Sequence, residues 1–459
     1  MSAQTPEQPK SVPTVLIVGG GLGGLMLGQL LEQINVPYHI FERANELRAL
    51  GSVMTLGPNI IPLFEQLGLM EEINKFSLPV FSLDMYGDDM KKVGAIDLTS
   101  HKAVSGNENL LFARPQLYEL MKKQVPASKI TLGKKVVRHE EKDGKVIIHC
   151  SDNTKFEGDI LVGADGAYSG VRQSLYKQMD EQNILPKNDL ESLSVGYVSM
   201  VGVAKPSNPE KYPQLKDNFA HYSQVLGPDS RSWGVFSVPG NQICFVLSSQ
   251  LSTAEAKDQA FRNSEWGPEA NDAMLKEFYE EPCPWGGKMG DVFDETPKNL
   301  ISKVFLEEKL FKTWYHSRTA LIGDACHKML PGAGQGAVNA MQDAVVLANC
   351  IYNMPDSSTD SITAAFQEYY KQRFSRAEMQ FERSSSMTKT ISGQTWVDRV
   401  LRNVMLNYVP NFITQMSFMK TFEYRPQIAW LPLAENRGTV KVLPQEGVRK
   451  LLEAKAEAI

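Results

Sequence analysis

The sequence predicts an α/β fold interrupted by an antiparallel sheet and followed by helices. Three observations carry this expectation. First, Val15-Leu16-Ile17-Val18 runs into Gly19, Gly21 and Gly24, then an apolar helix pattern, then a second short strand, Tyr38-His39-Ile40-Phe41, ending on Glu42. Second, Ile160-Leu161-Val162-Gly163 and Thr319-Ala320-Leu321-Ile322-Gly323 repeat the pattern of a buried strand entering a tight turn. Uninterrupted aliphatic runs of this length mark parallel strands covered on both faces. Third, residues 190–250 break into short β-rich segments at 193–204, 218–225, 231–238 and 242–249, with Pro239-Gly240-Asn241 between the last two; such spacing marks antiparallel strands.

Bulk properties narrow the function classes. A chain of 459 residues has room for two or three units. Hydrophobic content of 42% and charged content of 22% are ordinary for a globular protein. The net charge of −5, with no basic block, argues against nucleic acid as a partner. Cys150, Cys244, Cys283, Cys326 and Cys350 are scattered, with no C-x-x-C. A disulfide framework, a metal cluster and a dithiol pair therefore lack support, and buried free thiols in a reducing, cytoplasmic setting are expected. Residues 1–13 are polar and hold prolines, so no signal peptide is expected. No run of 18 apolar residues occurs, so no transmembrane helix is expected.

In chain order, residues 14–43 form a βαβ start. Ala44–Leu56 reads as a loop entering an extended piece that holds Thr55, and Gly57 to Leu67 as a helix ended by Gly68. Residues 79–112 alternate and read as strands. A helix begins at Arg114 with Pro115 in its first turn, where proline's missing N–H costs nothing. Strands around Val136 and Val146 flank the turn Asp143-Gly144. Residues 253–296 are polar and partly helical, with Trp266-Gly267-Pro268 as a breaker. A long helix follows the glycines near 334 and runs through Ala348. Residues 357–388 and 394–421 read as further helices, the second with apolar residues such as Trp396, Val400, Leu401 and Val404 that are expected to pack on the nucleotide unit. Membrane-interface or partner contact is the alternative for that face. The tail from Pro432 ends in a charged helix.

The glycines fit G-x-G-x-x-G as Gly19, Gly21 and Gly24. In turn they allow a tight turn, leave room for a pyrophosphate against the backbone, and let helix pack closely on strand. The helix end that follows offers free N–H groups to a diphosphate. Glu42 ends the second strand, where a carboxylate accepts hydrogen bonds from both ribose hydroxyls of an adenosine and repels a 2′-phosphate. Asp324 follows a buried strand at a G-D turn and could bond the hydroxyls of a polyol. Gly332, Gly334 and Gly336 expose N–H groups at the start of the next helix, which stabilises negative charge. An ordinary glycine-rich turn is the alternative reading at each place.

Taken together, Gly19-x-Gly21-x-x-Gly24, Gly163-Ala164-Asp165-Gly166 with Ser169 and Arg172, and Gly323-Asp324-Ala325-Cys326-His327 with Pro331 and Gly334-Gln335-Gly336 resemble the group A, single-component FAD-dependent monooxygenases. These are similar to para-hydroxybenzoate and salicylate hydroxylases, and the chain resembles their fungal secondary-metabolism branch most. The resemblance covers roughly residues 14–375. It implies a Rossmann-like FAD-binding domain made of 1–78, 100–190 and 300–350, an inserted antiparallel β-sheet substrate domain made of 79–99 and 191–299, and a C-terminal helical region, 351–459. It implies FAD contacts from Gly19, Gly21, Gly24, Glu42, Arg43, Thr55, Arg114, Asp165, Asp324, Pro331, Gly334, Gly336, Ala337 and Val338. Thr55 is often Gly in the family, and Cys326 is often Ala. Asp165 has a second reading as a helix cap, and His327 as a hydrogen-bonded structural group.

The resemblance further implies NADH or NADPH as a transient reductant, O2 as co-substrate, and oxygen transfer from a flavin C4a-hydroperoxide to an aromatic ring or double bond. No second strand-linked G-x-G-x-x-G offers a separate NAD(P)H domain. The sheet unit should cover the flavin, with Tyr197, Met200, His221, Tyr222, Trp233, Phe236 and Phe245 as candidate pocket residues, half of them turned away by strand alternation. Tyr222 is the candidate polar group at the substrate, a small and largely apolar molecule, since the segment carries few charges. A FAD-binding oxidase, reductase or redox-sensing protein on the same fold is the alternative class. A monomer or homodimer is expected.

Overall fold

The computed structural model describes residues 12–46, 51, 53–251, 268–393 and 396–445. Part of the expected Ala44–Leu56 loop, Trp266 and Gly267 of the expected breaker, and the expected terminal helix lie outside the described residues.

Val15–Val18 lies at the centre of a six-stranded sheet, between Tyr38–Phe41 and Ile160–Gly163, both parallel to it. Ile130–Thr131 extends one side and Thr319–Leu321 the other, also in parallel, and Tyr315–His316 closes the edge antiparallel. Parallel strands need crossovers, and the crossovers cover the faces: all of Val15–Val18 is buried. The helices Leu22–Gln33 and Gly336–Tyr352 pack together, and a side chain at Gly23 would meet Ala340 at 3.3 Å. The helix Gly170–Glu181 lies against a three-stranded sheet, Val136–Lys142, Lys145–Cys150 and Lys155–Gly158. Its hairpin turns at Asp143 and Gly144, both at positive φ (53° and 74°), the geometry that matches strand twist.

An eight-stranded sheet forms the second layer. Its order is His327–Lys328, Ser302–Leu310, Ser194–Ala204, Gln242–Gln250, Ser232–Val238, Tyr222–Leu226, Ser82–Gly87, Lys92–Asp97. Ser302–Leu310 was expected with the nucleotide unit, yet it pairs antiparallel with Ser194–Ala204 and so belongs to this sheet. Side-chain alternation divides the sheet's two faces. Met200, Trp233 and Phe245 are completely buried against helices Pro268–Phe278 and Met289–Asp294. Tyr197, Ser199, Tyr222, Gln224, Phe236, Val246 and Ser248 face the other way, onto a cavity.

Two expectations need correction. The extended reading of 79–112 fails at His101–Ser105, a helical turn stopped by Gly106 at φ +86°, where a left-handed residue ends a helix. The single helix expected over 394–421 is two, Trp396–Asn407 and Asn411–Glu423. Pro410 stands between them and has no N–H to continue the ladder. Nor does the first of these helices bury its apolar side: Trp396, Val400, Leu401 and Val404 are exposed, Trp396 at 72%. Before them, Thr359–Ser392 is one long helix, capped by Ser358 and stopped by Gly393 at φ +60°.

Candidate active site

Three turns that are far apart in the chain meet at one cavity of about 1170 Å³. The first contributes Gly21, Leu22 and Gly23; the second, Ala164 and Gly166; the third, Gly323, Asp324, Pro331, Gly334, Gly336 and Ala337. Thr55 and Arg114 complete this end. The three glycines of the first turn differ in what surrounds them. Gly19 sits at φ +111°, and a side chain there would meet the Ala164 carbonyl at 2.3 Å. At Gly24 it would meet the Gly19 carbonyl at 2.1 Å. At Gly21 it would meet nothing within 4 Å. Gly19 and Gly24 shape the turn from behind, and Gly21 leaves its backbone open to the cavity.

Glu42 closes over the same turn. Its Oε2 accepts from the Gly20 N–H at 2.7 Å and its Oε1 from the Ala44 N–H at 2.9 Å. Each carboxylate oxygen retains acceptor capacity. Tyr118 donates to the Gly20 carbonyl at 2.9 Å. Arg43 stands just past the strand, and Val338 is buried behind the wall.

Asp165 works on its own helix. Its Oδ1 accepts from the Ser169 hydroxyl at 2.5 Å and its Oδ2 from the Val171 N–H at 3.2 Å, while Ser169 caps Arg172. Burial raises the Asp165 pKa, against those hydrogen bonds. Arg172 then reaches across, donating to the Ala325 and Ala167 carbonyls at 2.9 and 2.7 Å. The second turn is thereby tied to the third.

The third turn rests on a buried charge network that sequence reading missed. Asp343 Oδ2 accepts from the Gly323 N–H at 2.9 Å and faces His327 Nε2 at 2.6 Å; its Oδ1 accepts from Arg373 Nε at 2.7 Å. Asp343, His327 and Arg373 are all fully buried. Burial alone would raise the Asp343 pKa; the facing His327 and Arg373 side chains overcome it and hold the pKa low. Cys326 and His327 stand close enough to Asp343 to suggest metal ligands, but the Arg373 guanidinium already takes the cation's place. Cys326 is wholly buried, its thiol pushed up by burial, as a packing residue is. The one sequence signal for Asp343 was a carboxylate directly before the apolar run Ala344-Val345-Val346-Leu347.

At the surface of this network, Asp324 Oδ2 accepts from Lys328 Nζ at 2.6 Å. Burial would lower the Lys328 pKa, but Asp324 and Glu307 raise it on balance. Arg114 is pushed down by burial, with Asp324 acting against the shift.

These features suit a dinucleotide. The helices starting at Leu22 and Gly336 have no side-chain cap, and both open on the cavity. Uncapped helix ends leave N–H donors for an anion. Among the described residues, the cavity's charged lining is Arg114, Lys298, Lys303, Lys328 and Arg383 against the single carboxylate of Asp324. A diphosphate meets both conditions.

The FAD binding domain family matches residues 13–214 and 288–384. The chain belongs to that family. Its relatives are FAD-dependent monooxygenases. The FAD-dependent monooxygenase esdpE of Penicillium shearii is 25% identical over 411 residues, covering 86% of this chain and 81% of the relative. The aurachin C monooxygenase/isomerase of Stigmatella aurantiaca is 28% identical over 365 residues, covering 79% and 86%. Among solved structures, Klebsiella pneumoniae HpxO complexed with FAD and uric acid superposes with a TM-score of 0.73 at 19% identity, over 90% of this chain and 97% of that one. The family is that of FAD binding domains; in this chain the uncapped helix ends and Asp324 line the cavity, and Glu42 closes over the first turn.

The far half of the cavity holds three of the seven candidate pocket residues, Tyr197, Tyr222 and Phe236. Met200, Trp233 and Phe245 lie behind the sheet. His221 pairs with Asp217 at 2.7 Å, outside the cavity wall. Tyr222 donates to Gln224 Oε1 at 3.2 Å and packs on Phe236, and burial pushes its pKa up to about 12. The opposite wall was not foreseen: Gln380, Arg383, Met387 and Ile391 of the long helix, with Phe418 and Phe422 beyond the Pro410 break.

Proposed function

We propose that this protein uses NADH or NADPH and O2 to hydroxylate or epoxidise an electron-rich, largely apolar aromatic or olefinic small molecule. The observation that carries the reading is one continuous cavity. It runs from three glycine-bearing turns and their unpaired helix N–H groups to the inner face of a β-sheet. The family and the names of the relatives support it.

Bound FAD, once reduced, supplies the activation of O2. The chain's own residues do the rest. Gly21 and the Leu22 helix end hold the diphosphate, Glu42 the ribose hydroxyls, Arg114 and Asp324 the adjoining linker. Thr55, Pro331, Gly334, Gly336 and Ala337 would wall the ring system, and the helix from Gly336 would stabilise negative charge near its start. Val246, Phe236, Met387 and Ile391 exclude water from the substrate half. Tyr222 is protonated at neutral pH, as any tyrosine is; its hydroxyl donates to Gln224 in this structure and would turn from it to donate to the substrate.

We place the protein in a reducing, cytoplasmic compartment, a reading supported by five buried free cysteines. Among the described residues no helix is long and apolar enough to cross a membrane. The exposed apolar side of Trp396–Asn407 supports peripheral contact with a bilayer surface instead. The test of the main reading is a screen of aromatic and olefinic compounds for accelerated NAD(P)H consumption, followed by mass spectrometry after reaction under 18O2. One labelled oxygen in the product is expected. Stimulated oxidation that never labels a product would favour an oxidase or reductase.

A further inference from the structure

Arg383 lines the sheet half of the cavity, and its partners among the described residues are neutral. Its Nη1 donates to Thr421 Oγ1 at 2.8 Å and to the Ser417 carbonyl at 3.5 Å, and its guanidinium lies 4.6 Å over the Phe418 ring. Among the described residues no carboxylate pairs with it. A guanidinium drawn partly out of water carries a desolvation cost that a countercharge normally offsets. Arg383 has donors to spare, since a guanidinium offers five N–H groups in a planar fork that matches a carboxylate or a paired oxygen.

Position adds to charge. Arg383, Met387 and Ile391 recur every fourth residue on one face of the helix, and all three line the cavity. At 1.5 Å per residue, Ile391 lies about 12 Å along the axis from Arg383. The wall therefore begins with a cation and continues as an apolar stripe, joined by Phe418 and Phe422. The next residue, Ser384, abuts the third glycine turn: its carbonyl would lie 2.9 Å from a side chain at Gly332. The helix that carries Arg383 thus packs on the turn that bears Pro331 and Gly334.

We infer that Arg383 anchors an anionic oxygen, a carboxylate or a phenolate, of a substrate whose apolar body lies along Met387 and Ile391. The inference deepens the proposed function by naming the substrate class, and it rests on that reading for the assignment of this half of the cavity to substrate. It also adds a charged end to the largely apolar substrate expected from the sheet residues alone.

The test is calorimetric titration of the full-length, FAD-loaded protein with 4-octylbenzoate, 4-octylphenol and the neutral 4-octylbenzamide. One of the two acids is expected to bind about tenfold more tightly than the amide. Preference for the benzoate identifies a carboxylate site; preference for the phenol, with a phenolate absorbance band on binding, identifies a phenolate site. R383M should remove the preference and leave amide binding within about twofold; R383K should retain part of it. T421V removes the hydroxyl partner but keeps the charge, so it should keep the preference, which separates charge from any loosening of the helix Asn411–Glu423. Equal binding of all three probes, an unchanged preference in R383M, or an R383M defect confined to FAD affinity would overturn the inference. Calorimetry needs no turnover, so failure to label a product with 18O2 would remove the monooxygenase reading and leave this result standing.

Discussion

Asp343→Asn should damage the cofactor end of the cavity without touching it. The carboxylate serves three donors: the Gly323 N–H, His327 Nε2 and Arg373 Nε. An asparagine keeps the shape but replaces one acceptor oxygen with a donor. Whichever way the amide turns, it opposes either Arg373 or the Gly323 and His327 side. Arg373 is fully buried and would lose its countercharge, keeping only neutral partners in Gln342 and Asn339. Breaking a buried pair from one side costs about 3–5 kcal/mol. The Gly323 N–H fixes the turn that presents Asp324, so part of that cost should appear as weaker FAD binding. The assay is thermal unfolding with and without FAD, paired with FAD titration by flavin fluorescence. The expected result is a lower Tm and a raised FAD Kd. A variant matching the wild type in both would refute the claim that this network positions the turn. The same group fixes a pH dependence. The Asp343 pKa is depressed in the folded protein, so its contribution is complete above the unfolded carboxylate pKa and is lost as pH falls through the folded value. Wild-type Tm should drop on acidification below about pH 4, and D343N should show a smaller drop.

Gly21→Ala and Gly24→Ala should part company: the first meets no neighbour within 4 Å and should fold with weakened FAD binding, while the second meets the Gly19 carbonyl at 2.1 Å and should fall in soluble yield; expression and FAD titration read both. Tyr222→Phe should lower product formed per NAD(P)H consumed while consumption continues, measured by product quantification against absorbance at the nicotinamide band; unchanged coupling would remove Tyr222 from the substrate site. The exposed face of Trp396–Asn407 should carry wild-type protein down with phosphatidylcholine vesicles, and the V400S, L401S, V404S triple variant should stay in the supernatant; equal sedimentation of the two would dismiss bilayer contact.

The parallel sheet was legible because its strands are short aliphatic runs followed at once by glycine, and local chemistry decides both. The antiparallel strands were legible to within a few residues because they are short β-rich segments separated by turn residues such as Pro239-Gly240-Asn241. What sequence could not supply was assignment between layers. Ser302–Leu310 carries no mark saying which sheet it joins; pairing with Ser194–Ala204 decides that. Alternation showed that half of the aromatic candidates must turn away, but not which half, so Trp233 and Phe245 stood level with Tyr222 until the sheet gained helices on one side. The cavity wall formed by Arg383, Met387 and Phe418 depends on the long helix folding back over the sheet, a contact between distant segments with no local signature. Asp343 was hidden for a related reason: its partners lie 20, 16 and 30 residues away.

The most direct measurement is the visible spectrum of the purified chain after FAD titration and gel filtration, compared with that of the E42A and D324A variants. Flavin absorbance bands co-eluting with the wild-type protein, and lost or much weakened in the two variants, are the predicted result. A wild-type chain that elutes colourless and takes up no added FAD would contradict the convergence of the three turns on one dinucleotide.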